Sequence, residues 1–288
     1  MAYTIEAAFD ELLARQRMSQ NQATAAQNHV EGIRSFFASP NFEMYERVFT
    51  IGSYRRGTMC DGEIDVDLMA PVSGSYWQRY QSDSRVFMYW VRDKLKTRYP
   101  QSKVSTREVA IVLDFSVVRA EVVPCFKHPE DGYWMPNGRG GWQRSNPPYH
   151  TQLIDSTDTA LNKRLKPLIK LLKWWNIANG QHLSSFHVEM IVERAKRGHA
   201  VGAWGESTAG MLSVMPGWVR SAFADPFAPG VRVDAYLPSD IREQVARMLE
   251  GDAKASREAE ELRRAGRIRE AFERWQVVYR HTFPAYGG

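Results

Sequence analysis

Apolar positions recur at helical spacing over residues 4–37, with Ile5, Phe9, Leu12 and Leu13 at one end and Ile33, Phe36 and Phe37 at the other. That pattern predicts one helix or two, and Ser39-Pro40-Asn41 stops it. The period then becomes that of a strand over residues 45–51. It breaks at a basic, glycine-containing turn and resumes over residues 63–70 as an alternation of acidic and apolar positions. Residues 71–75 read as loop. Val86, Met88, Tyr89, Val91 and Leu95 then carry a helical period up to Tyr99-Pro100, and two β-rich runs follow at residues 104–110 and 111–126.

Residues 128–150, rich in Gly, Pro, Trp and Asn, read as one long loop, and loops of that length in compact proteins are often functional. Ser156-Thr157-Asp158 reads as a helix start. Beyond it Leu161, Leu165, Leu168, Ile169, Leu172 and Trp175 form an apolar stripe, with Asn162, Lys163, Lys166, Lys170 and Lys173 on the other side. Pro167 either kinks that helix or sits in its first turn. Asn179-Gly180 ends it, and Ser184 and Ser185 supply caps for the next. After Gly205 the signal thins into a proline-punctuated, loop-rich stretch, followed by a strongly charged helix over residues 252–279.

A chain of 288 residues with 43% hydrophobic and 25% charged residues is long enough for two medium domains, and this composition excludes a disordered or low-complexity protein. The net charge of +5 suits a polyanionic ligand such as a nucleotide but is too small to indicate long duplex nucleic acid. The two cysteines, Cys60 and Cys125, make no disulfide framework and read as reduced thiols. The N-terminal residues lack a signal-peptide pattern, and no apolar run approaches membrane-spanning length. The expectation is therefore a cytoplasmic protein with no membrane partner.

The candidate chemistry centres on the acidic strand. Asp65 and Asp67, two apart, share one face of a strand with Cα atoms about 7 Å apart. Paired carboxylates suit hard divalent cations, and two such ions about 4 Å apart serve many phosphoryl-transfer sites. Twelve residues upstream, Gly52 and Ser53, with Gly57 beyond them, offer close backbone approach, a hydroxyl and a phosphate cradle. Glu121 lies among valines in V-L-D-F-S-V-V-R-A-E-V-V, where an unpaired charge is costly to bury. It is thereby favoured as a third carboxylate over Asp114, which reads as an exposed strand end. His128 and His150 lack the cysteine partners of a zinc site.

Taken in order, G-S-Y-R-R-G-T, D-V-D, A-E-V-V-P-C-F, K-P-L-I-K-L-L-K-W-W-N and L-S-S-F-H-V-E resemble the polymerase-β-like nucleotidyltransferases. More narrowly, they resemble the CD-NTases, bacterial relatives of cyclic GMP-AMP synthase that make cyclic oligonucleotide signals in anti-phage (CBASS) defence. The resemblance covers residues 45–195. It implies an α/β (α+β) fold with a nucleotidyltransferase core sheet, residues 1–150, and a helical lobe, residues 151–288, on which the N-terminal helix can also pack, with the active site in the cleft between them. It also implies that Gly52 and Ser53 hold an NTP triphosphate, and that Asp65, Asp67 and Glu121 ligate two Mg²⁺ (or Mn²⁺) ions. Lys173, with Lys170 as substitute, and Ser185 would touch the triphosphate, and Asn162 would line the base pocket. The third acid is usually Asp in that family, so Glu121 departs from it by one methylene. The same core serves RNA- and protein-directed transferases, and the Glu121 departure also admits a nucleotide sensor that does not turn over. Finally, the Gly287-Gly288 ending resembles tails offered to a ubiquitin-transferase-like partner.

Overall fold

The computed structural model describes residues 3–40, 42–60 and 65–287. Thr4 caps α1 (Ile5–Arg15) by accepting from the Ala7 amide, and Ser19 with Gln22 forms a capping box that opens a separate α2 (Gln20–Phe37). The chain then forms β1 (Phe49–Thr50), the short α3 (Gly52–Arg56) and β2 (Asp65–Val72). After β2 come α4 (Trp77–Tyr80) and α5 (Ser84–Arg98), then β3 (Lys103–Arg107), β4 (Ala110–Asp114) and β5 (Arg119–Lys127). The predicted start of the acidic strand at Glu63 lies outside the described residues.

The stretch expected to be a single loop contains a hairpin, β6 (Tyr133–Pro136) and β7 (Trp142–Ser145), and already opens α6 (Pro147–Ala160). Two prolines at the first helical positions, read from the sequence as loop, are pre-set for a helix start, and Asn146 caps it. The helices α7 (Leu165–Ala178), α8 (Ser185–Lys196), α9 (Trp204–Arg220), α10 (Ser239–Arg264) and α11 (Ile268–Val278) complete the chain. Pro167 falls in the first turn of α7. α9 corrects the loop expected after Gly205, and its interior Pro216 explains why the pattern read as broken. The single charged helix expected over residues 252–279 is interrupted at Gly266, whose φ of +77° takes the chain out of the helix.

The strands form one mixed sheet in the order β1-β2-β5-β4-β3, extended by β6 and β7 from β5. β2 and β5 are parallel neighbours, joined by the crossover through α4, α5, β3 and β4. Val66, Leu68, Ala70 and Val72 of β2 and Ala120 and Val122 of β5 face a core closed by α2 and α5. The odd-numbered positions face the other way. A second core is helical, built by α6 to α11 together with Ile5, Ala8, Phe9 and Leu12 of α1. The chain thus starts in the helical lobe, crosses to the sheet with α2, and returns after β7. Between the lobes α3 packs against β2, α6 and α8.

Candidate active site

Parallel pairing of β2 with β5 sets Asp67 directly beside Glu121 and Asp65 beside Arg119. Directly paired residues share a face, so Asp65, Asp67 and Glu121 stand together on the sheet surface turned away from the α2/α5 core. All three are half-buried. Burial pushes the Asp67 carboxyl up to about 7, helped by Glu121, Asp65 and Glu189 and opposed by Arg56. Glu121 is also raised, first by burial and then by Asp65, with Arg107 and Arg119 opposing. Burial and the mutual repulsion of the carboxylates act in the same direction on both groups.

The turn in front is built around Asp67. The Ile51 amide donates to the Asp67 carbonyl at 2.9 Å, ending β1 against β2. Gly52 then takes a φ of +66°, and a Cβ built there would lie 1.7 Å from Asp67 Oδ2. Only glycine satisfies both demands. Ser53 follows in the first turn of the five-residue α3, whose C-cap is Gly57 at φ 70°, and the Thr58 amide closes back onto the Ser53 carbonyl at 3.0 Å.

The acids share a face, but their oxygens are not gathered around one point. Arg119 reaches Asp65 at 3.5 Å and Asp114 at 3.0 Å, and among the described residues no group of three or more His, Cys, Asp or Glu side chains is arranged to hold one ion. Asp65 thus faces a guanidinium on the neighbouring strand as well as the other two acids. Their chemistry, three oxygen-donor carboxylates whose mutual repulsion a cation would relieve, fits Mg²⁺ or Mn²⁺. Asp114 closes β4 as the partner of Arg119.

The basic residues divide in a way the sequence did not reveal. Lys173, expected at the triphosphate, is 1% exposed; its Nζ donates to the Thr58 carbonyl at 2.9 Å and stands 3.6 Å from Glu189 Oε1. The ammonium is withdrawn into the protein, beneath the turn. Lys170, one turn earlier on α7, is half-buried, and its pKa is lowered by burial, with Lys173 and Arg17 adding and Cys60 opposing. Ser184 caps α8 by accepting from the His187 amide, which leaves Ser185 half-buried in the first turn. Asn162 is exposed, at φ 53°, in the turn between α6 and α7. It stands just before the N-terminal end of α7.

Sequence reasoning missed the partners of that turn. Arg56 Nε donates to Glu189 Oε2 at 2.7 Å, and Thr58 Oγ1 donates to Glu189 Oε1 at 2.5 Å. Glu189 is fully buried. Burial alone would raise its pKa, but Arg56, Lys173 and Thr58 hold it below the usual carboxylate range. The signal was present: Glu189 sits between Val188 and Met190-Ile191-Val192, a setting like that of Glu121.

The family model of the Second Messenger Oligonucleotide or Dinucleotide Synthetase (SMODS) domain matches residues 3–157, and the chain belongs to that family. A cyclic AMP-AMP-AMP synthase of Acinetobacter is 29% identical over 165 residues, covering 53% of this chain and 46% of that protein, so the chain spans less than half of that relative's length. A probable cyclic nucleotide synthase of Bacillus cereus is 20% identical over 283 residues, covering 86% of this chain and 85% of that one. Among solved structures, Escherichia coli CdnC in complex with HORMA-deltaN has a TM-score of 0.76 at 16% identity, covering 97% of each chain. Bradyrhizobium diazoefficiens CdnG in complex with GTP has a TM-score of 0.73 at 13% identity, covering 94% of this chain and 98% of that one. The sheet with its helical lobe is therefore the CD-NTase fold that the motifs resemble.

The tail reading falls partly outside the description, since Gly288 is not among the described residues. Tyr286 packs its ring 5.4 Å from Phe272 and 5.8 Å from Tyr3. No described helix is long and apolar enough to cross a membrane.

Proposed function

We propose that this chain is a nucleotidyltransferase that joins NTPs into a cyclic di- or trinucleotide with release of pyrophosphate, as a second messenger of CBASS-type defence. The observation that carries the reading is the register pairing of Asp67 with Glu121 beside Gly52, where a side chain would strike the Asp67 carboxylate. Asp67, Glu121 and, once released from Arg119, Asp65 are the residues that would hold Mg²⁺. When bound, the cation supplies a hard electrophile that offsets phosphate charge and lowers the pKa of a ribose hydroxyl.

The chain's own residues do the rest. The Gly52-Ser53 backbone and the Ser53 hydroxyl hold the triphosphate, with Ser185 at the start of α8 facing it from the helical lobe. Lys170 takes the role of charge partner to the phosphates, since Lys173 is engaged beneath the turn. The half-buried acid face limits water and strengthens each charge contact there. ATP is the first substrate to test, given the cyclic AMP-AMP-AMP synthase relative. The HORMA complex of the E. coli neighbour makes a protein regulator of that class the first partner to test.

Incubation with α-labelled ATP, GTP, CTP and UTP and Mg²⁺, followed by phosphatase and chromatography, tests the reading. A phosphatase-resistant small product that disappears in Asp67→Asn is expected. Extended RNA or a labelled protein would instead identify the tailing or protein-modifying alternative, and no turnover with either Mg²⁺ or Mn²⁺ a sensor.

A further inference from the structure

Where α3 meets α7 and α8 lies a buried polar cluster that the proposed chemistry does not use directly. Arg56, 5% exposed, is clamped by Glu189 at 2.7 Å and lies with its guanidinium carbon 5.6 Å from the Phe186 ring centre. Glu189 also accepts from Thr58 Oγ1, and Lys173 binds the Thr58 carbonyl. One carboxylate on α8 therefore fixes both ends of the segment that leads out of α3, and joins the phosphate turn to the helical lobe.

Arg56 lies one helical turn beyond Gly52 on α3, the helix that packs on β2, and Gly52 abuts the Asp67 carboxylate, so the long Arg56 side chain has Asp67 within its reach. A buried guanidinium that loses its carboxylate partner carries a large cost and turns to another acid within reach. An Arg–carboxylate pair is commonly bidentate and would occupy the oxygens a cation needs. We propose that Glu189 is a positioning residue that holds Arg56 off Asp67, keeping the Asp67 carboxylate free for a divalent cation while it locks the phosphate turn onto α8. The proposal rests on the nucleotidyltransferase reading above.

The expected consequence has a sign that a purely structural role lacks. In Glu189→Gln, Arg56 is released, pairs with Asp67 and competes with the cation. In Glu189→Gln/Arg56→Gln the competitor is gone, so cation binding returns although a further buried partner has been removed. The readout is Mn²⁺ binding followed by electron paramagnetic resonance at pH 8 with a non-hydrolysable ATP analogue, on full-length chains whose folding is checked by circular dichroism.

We expect a Kd for Mn²⁺ at least tenfold weaker in Glu189→Gln, and recovery to within about threefold of wild type in the double variant. A Glu189→Gln chain that binds as wild type, or a double variant that binds no better than the single one, overturns the proposal. Should Glu189→Gln fail to fold, Arg56→Gln serves, because Glu189 there keeps Lys173 and Thr58. Its Kd is expected to equal or improve on wild type, and a tenfold loss overturns the proposal. A wild-type chain that binds no Mn²⁺ with the nucleotide and makes no product contradicts the nucleotidyltransferase reading itself, a distinct result.

Discussion

Position 52 shows how tightly backbone and chemistry are coupled at the scale of one residue. Replacing Gly52 by Ala places a methyl 1.7 Å from Asp67 Oδ2 at a φ of +66°. The left-handed backbone alone costs about 1–2 kcal/mol, and the clash must push Asp67 off the acid face. Gly52→Ala is therefore expected to lower turnover at least a hundredfold with a modest fall in Tm, measured by product formation and calorimetry. His187 makes a prediction of a different kind. It is fully buried against Tyr236, and burial lowers its pKa from 6.5 to about 4, with Asp234 opposing and Arg242 adding. A base depressed in the folded state contributes stability that is complete above pH 6.5 and lost as pH falls toward about 4. That amounts to about 3 kcal/mol over the interval. Urea unfolding at pH 7 and pH 4.5 should show the loss, and His187→Phe should flatten the difference; an equal drop in both chains refutes the assignment.

The elements around the site separate two lysines that the sequence treats alike. Lys170 and Lys173 lie one turn apart on α7, yet only Lys173 is withdrawn under the Thr58 carbonyl. Lys170→Ala should raise the KM for NTP about tenfold and leave stability nearly unchanged. Lys173→Met should cost on the order of 3 kcal/mol, because it strips a cation from buried Glu189; denaturation curves and steady-state kinetics separate the two. Helical periodicity located α7 and the serine-capped start of α8, and alternation located the acid strand. It could not say which lysine points inward, since that depends on how α7 meets the segment after α3 from another part of the chain. The hairpin of β6 and β7 was hidden because its Gly, Pro and Trp residues carry no alternation. The start of α6 was hidden because Pro147-Pro148 looks like a loop. Asp67 and Glu121 were legible as an acid pair on neighbouring strands; the guanidinium of Arg119 beside Asp65 was not, because register between separated strands is a tertiary property.

At the scale of the whole molecule the two lobes meet along α3, and α1 belongs to the helical side. Phe9 is fully buried, with ring centres 4.9 Å from both Trp275 and Phe283. Phe9→Ala should cost about 3–5 kcal/mol. Hydrogen exchange should accelerate in α7, α9 and α11 well before the strands, whereas uniform acceleration would assign α1 to the sheet lobe. Where the lobes present the nucleotide is read from a crystal structure with Mg²⁺ and a non-hydrolysable ATP analogue. Oxygens of Asp67 and Glu121 are expected at about 2.1 Å from a cation, with the triphosphate on Gly52 and Ser53. A nucleotide seated instead in the groove of about 710 Å³ between β1 and α6, lined by Thr50, Arg55 and Gln152, with the acids left free of metal, would contradict that placement.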